Sequence, residues 1–107
     1  MTETQKIHVG DIGTIFRLTI KDPSGEPIDV STATTKYIYF LKPDGSKVAK
    51  TAVFYTDGED GIIQYTSIED DIDTPGNWGV QGWVEKPEGE FFTAKGIVPI
   101  EDTYYTT

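Results

Sequence analysis

The 107 residues include 18 Asp and Glu against 9 Lys and Arg, a formal charge of -9, and such a surface repels phosphate backbones and anionic lipid, so no nucleic-acid or membrane partner is expected. The length allows one domain, and 36% hydrophobic with 12% aromatic residues can fill a core. The chain has no cysteine, which excludes disulfides, thiolate metal sites and a cysteine nucleophile.

Apolar residues recur with period two, in short runs closed by Gly, Pro or Asp, and no helical periodicity is seen. Residues 1–6 lack the basic stretch and apolar run of a signal peptide, so a chain without a secretion signal is expected. A short strand over 7–9 precedes a half-buried strand over 14–20, with Phe16, Leu18 and Ile20 on one face and Arg17 and Thr19 on the other. Asp22-Pro23-Ser24-Gly25-Glu26-Pro27 reverses the chain. Residues 28–30 pair briefly, and 36–42 read as a central strand, apolar on both faces. Pro43-Asp44-Gly45-Ser46 is a hairpin signal that sets Lys42 opposite Lys47, with a return strand over 47–56. Asp57 to Gly61 turns the chain into a strand over 62–67. The polar stretch 68–76 carries it from one sheet to the other, into a strand over 77–85 with Trp78, Val80, Gly82 and Val84 on one face. A last hairpin at 86–90 leads into a single strand over 91–100 and a polar tail. No apolar stretch approaches the roughly 20 residues that cross a bilayer.

About seven strands at spacings of roughly ten residues predict an all-β, immunoglobulin-like antiparallel β-sandwich. Residues 1–107 form one domain with short flexible tails at both ends. The order Asp73-Thr74-Pro75-Gly76-Asn77-Trp78-Gly79-Val80 follows the turn into strand F of such domains. Trp78 stands in the place of the corner tyrosine and Val80 in that of the second cysteine.

No catalytic, cofactor or metal-binding residue is assigned. His8 is the single histidine and reads as a half-exposed strand residue. Neither a nucleophile elbow, nor a phosphate loop, nor an H-E-x-x-H motif is present, so a non-enzymatic protein is expected. Asp57, Glu59 and Asp60 crowd one turn, and Glu69, Asp70, Asp71 and Asp73 another. Calcium is one reading of them, but neither cluster has EF-hand spacing, and solvated acidic loops are the reading preferred. With Trp78, Val80 and Val84 facing the core, alternation puts Trp83 on the opposite face beside Gln81 and Glu85. A Trp so placed is a frequent interface anchor. A flat carbohydrate platform would need Tyr37, Tyr39 and Phe91 aligned with it. The expected interface is therefore Trp83, Gln81 and Glu85, with Tyr104 and Tyr105 from the tail, in contact with protein.

The stretch Phe16 to Ala33, with its Asp22-Pro23-Ser24-Gly25-Glu26-Pro27-Ile28-Asp29-Val30-Ser31-Thr32-Ala33 element, is followed by the run Lys36 to Leu41 and by Lys42-Pro43-Asp44-Gly45. It resembles the N-terminal immunoglobulin-like domain of the phage baseplate upper protein family. The resemblance runs from Thr14 to Ile100 and rests on turn chemistry. It implies a non-enzymatic structural protein of a bacteriophage particle, from tail, baseplate, neck or capsid decoration. Such a protein assembles in the host cytoplasm in repeated symmetric copies, and its partners are other virion proteins. Members commonly continue into long helices and receptor-binding regions. This chain stops at Thr107, which implies an adaptor or decoration role. A carbohydrate-binding module, calcium-assisted, is the alternative.

Overall fold

A computed structural model describes residues 7–102; the tails at 1–6 and 103–107 lie outside the described residues. Among the described residues, nine strands run in order as β1 (Ile7–His8), β2 (Ile15–Thr19), β3 (Thr35–Leu41), β4 (Lys47–Thr51), β5 (Val53–Phe54), β6 (Ile62–Thr66), β7 (Gly76–Lys86), β8 (Gly89–Phe92) and β9 (Gly96–Glu101). They form a six-stranded sheet, ordered β1-β9-β7-β3-β4 with β8 also on β7, and a three-stranded sheet, ordered β2-β6-β5. The smaller sheet takes the places of strands B, E and D of an immunoglobulin fold, and β4, β3, β7 and β9 those of C′, C, F and G. All pairings are antiparallel except that of β1 with β9, which is parallel, with Ile7 beside Ile100 and His8 beside Glu101. Glu101, expected in the tail, thus ends a strand.

The two inner faces meet in a core of Phe16, Ile20, Val30, Ile38, Phe40, Ala52, Ile63, Ile72, Trp78, Val80, Val84 and Ile100, all buried. Alternation explains their choice: Ile38 and Phe40 of β3 point inward while Tyr37, Tyr39 and Leu41 point out. Phe40 is the hub of an aromatic cluster, edge-on to Phe16 at 5.1 Å, to Trp78 at 6.2 Å and to Tyr65 at 6.2 Å. These rings fill the space that a disulfide spans in antibody domains. Trp78 serves as a corner residue, its Nε1–H donating to the Thr74 carbonyl at 2.9 Å, four residues upstream. This ties the entry of β7 to the crossover before it.

Turn chemistry accounts for the reversals. Asp22 Oδ1 accepts from the Ser24 hydroxyl, the Ser24 N–H and the Glu26 N–H, and the hydroxyl bond leads in holding its carboxyl below the usual range. In the β3–β4 hairpin Gly45 has φ 92°, the left-handed residue of a three-residue loop. Lys42 N–H therefore bonds Ser46, and Lys47 lies opposite Leu41 rather than opposite Lys42 as expected.

Two expected strands are broken. The return strand over 47–56 switches sheets at the buried Ala52, so β4 pairs with β3 and β5 with β6. The final strand over 91–100 divides into β8 and β9, both on β7. Phe92 is opposite Trp83 and Gly96 opposite Val80, so the outer strand carries one residue more than β7, a bulge. Thr93 secures it: its Oγ1 accepts from the Gly82 N–H at 2.8 Å, and its carbonyl accepts from Gln81 Nε2 at 3.0 Å.

Candidate functional site

The strands of the six-stranded sheet bring one outward side chain each into rows across its outer face. Thr51, Tyr37, Trp83 and Phe92 form one row; Ala49, Tyr39 and Gln81 the next; Lys47, Leu41, Gly79 and Ile97 the third. Tyr39 is 38% exposed, Leu41 45%, Phe92 55% and Ile97 70%, a contiguous apolar face in a protein whose charged residues could have covered it. Gly79 adds no side chain to the third row, between Leu41 and Ile97.

Trp83 and Tyr37 stack face to face, with ring centroids 5.7 Å apart and planes 12° apart, and Tyr39 is tilted 44° from Tyr37 at 6.1 Å. The three rings therefore do not lie in one plane. Trp83 Nε1–H donates to Glu90 Oε1 at 3.1 Å, which fixes the indole. Glu85, exposed at the end of the same strand, adds a second carboxylate beside it. Of the residues expected at the interface, Trp83, Gln81 and Glu85 share this face, and Tyr104 and Tyr105 lie outside the described residues. Phe91, which a carbohydrate platform would have needed in the aromatic row, points inward opposite Val84, and Phe92 stands in the row instead. The register of the β7–β8 hairpin, with Lys86 opposite Gly89, decides which of the two faces out.

The acidic turns are internally bonded. Asp57 Oδ1 accepts from the Glu59 N–H, and Asp60 from the Ile62 N–H and the Thr56 hydroxyl. Asp73 holds Lys42 at 3.0 Å, and Asp71 pairs with Lys50 at 2.9 Å. Asp71 also accepts from the Tyr65 hydroxyl and the Ile68 N–H. Burial, the largest influence on Asp71, pushes its pKa up, but the bonds from Ile68, Tyr65 and Lys50 together outweigh it and hold the carboxyl low. Tyr65 is pushed up to about 12, first by burial and then by the Asp71 carboxylate. Among the described residues, no group of three or more His, Cys, Asp or Glu is placed to hold a metal ion. His8 is half-buried on β1, and its backbone N–H donates to Asp11.

The strand order defines an all-β sandwich of immunoglobulin-like design. The crystal structure of CopC from Methylosinus trichosporium OB3b matches it over 97% of this chain and 91% of that one, with a TM-score of 0.55 and 16% sequence identity. At that identity the likeness shows the fold alone. No family model matches the chain, and no curated protein matches it significantly. These findings correct the expectation of a phage structural subunit with a sugar-binding alternative: a solved structure that the fold matches is CopC, and none of the comparisons points to a virion protein. The misleading motifs were built from Asp-x-x-Gly and Pro-Asp-Gly turns, which close β-hairpins in any sandwich.

Proposed function

We propose that the chain is a non-enzymatic binding module that docks a basic protein partner on the outer aromatic face of its larger sheet. The observation that carries this reading is the exposed, contiguous set Tyr39, Leu41, Phe92 and Ile97 around the stacked Trp83–Tyr37 pair. Rigid aromatics of this kind anchor interfaces, because they bury much area while few rotamers are lost. Charge selects the partner. Glu85 and Glu90 rim the aromatic row within a chain of net charge -9, so a second copy would bring the same sign to the rim, whereas Lys and Arg would find carboxylates there.

The test starts from a partner identified by cross-linking and then purified. Trp83→Ala and Phe92→Ser should each weaken its binding by about tenfold or more, and Glu90→Gln should weaken it less while flattening its salt dependence. A hydrogen-exchange footprint of that partner on the three-stranded sheet would overturn the assignment.

A further inference from the structure

Three strands in the smaller sheet cannot cover the whole of the larger one, and the inner side of β4 is left without a strand opposite. Val48 and Lys50, inward-facing partners of Phe40 and Ile38, look instead toward the crossover loop that follows β6. Between them lies a cleft of about 130 Å³ whose walls are the rings of Phe16, Phe40, Tyr65 and Trp78. An apolar cavity of about 150 Å³ accepts benzene, so this space suits one aromatic ring.

Two lysines and two aspartates line its mouth, and the lysines point their donors over the rings. Lys42 Nζ gives one bond to Asp73 and lies 5.4 Å from the centre of the Trp78 ring. Lys50 Nζ pairs with Asp71 and lies 5.9 Å from that of Tyr65. An ammonium has three N–H donors, so each lysine keeps donors for a guest. Asp71 already accepts three bonds, from Lys50, the Tyr65 hydroxyl and the Ile68 N–H. Asp70, also on the rim, is exposed to water. Apolar walls with cationic donors above them complement an apolar ring carrying an acceptor charge.

We propose that this cleft binds a small aromatic carboxylate, with the ring among Phe16, Phe40, Tyr65 and Trp78 and the carboxylate on Lys42 and Lys50. The site is independent of the docking face, because Trp78 and Trp83 point to opposite sides of β7.

The two indole N–H resonances provide the test. On titration with phenylacetate the Trp78 signal should shift with a Kd on the order of 1 mM, while that of Trp83 stays in place as the internal control. Benzyl alcohol and benzylamine should bind about fivefold more weakly or less well still. Lys42→Met leaves Asp73 free to be hydrated; it should weaken phenylacetate and spare benzyl alcohol. Val48→Phe, which fills the cleft from an edge strand, should abolish all three. A Trp78 signal unmoved by phenylacetate at ten times that concentration would overturn the proposal. So would benzylamine binding as tightly as phenylacetate, or undiminished binding by a folded Val48→Phe variant.

Discussion

Trp78 closes the crossover into β7 with one hydrogen bond while its ring packs against Phe40. Trp78→Phe removes the donor and part of the volume. It should cost about 2–3 kcal/mol, read as a lower urea midpoint with an unchanged m-value. This corner was legible in the sequence, because an acidic residue, Pro-Gly and an aromatic at fixed spacing are local information. The Tyr65–Asp71–Lys50 group was not, since it exists only where the crossover loop folds back against β6 and β4. Its titration has a definite sign. Tyr65 stabilises the fold below its ordinary pKa of 10.0, and that contribution is lost as pH rises through about 12. In an absorbance titration one tyrosine should therefore ionise late, and Tyr65→Phe should remove that phase. Asp71 acts on the other limb: its contribution is complete above 3.8 and is lost as pH falls through its lower folded value. Asp71→Asn should abolish this part of the acid sensitivity in unfolding measured from pH 5 downward.

At the scale of elements, period-two alternation located every long strand but could not show where a strand changes neighbours. Ala52 is one small residue in an unbroken β-like run, yet the chain leaves one sheet for the other there. The bulge between β8 and β9 is equally silent locally, because its cause is tertiary. Gly82 N–H needs an acceptor and Thr93 Oγ1 provides it. Thr93→Val keeps the shape and leaves that buried donor unpaired, so it should destabilise by about 1–3 kcal/mol and speed exchange of the Gly82 amide. Gly82 itself is tightly enclosed: a Cβ would stand 3.0 Å from Ile63 Cδ1 and Thr93 Cγ2, and 3.3 Å from Leu18 Cδ1, so a side chain there requires these methyl groups to shift by a few tenths of an ångström. The docking face depends on the same bulge, which shifts the alternation so that Ile97, opposite Gly79, faces outward. Alternation along β7 was enough to place Trp83, Gln81 and Glu85 on one face, whereas which of Phe91 and Phe92 joins that face depends on the β7–β8 register.

For the whole molecule, charge and sheet sizes are the governing quantities. A net charge of -9 with five ring–cation contacts among the described residues means that most long-range electrostatics oppose compaction. Raising ionic strength should therefore raise the thermal midpoint while weakening a basic partner, two opposite responses to one variable. The fold class was readable from strand count and turn spacing. The biological setting was not, since the motifs that pointed to a virion describe how a hairpin closes and say nothing about what it is attached to.

The parallel pairing of β1 with β9 also gives the molecule a mechanical character. The entering strand and the departing strand run side by side in the same direction, linked by bonds such as Val9 N–H to the Glu101 carbonyl at 2.9 Å. Tension applied through the two ends pulls these neighbours in opposite directions along their length, so the bonds are loaded in shear and share the force instead of opening one by one. In a force experiment the first barrier should lie at this seam, and Val9→Pro, which deletes a donor there, should lower the unfolding force with a smaller effect on chemical stability.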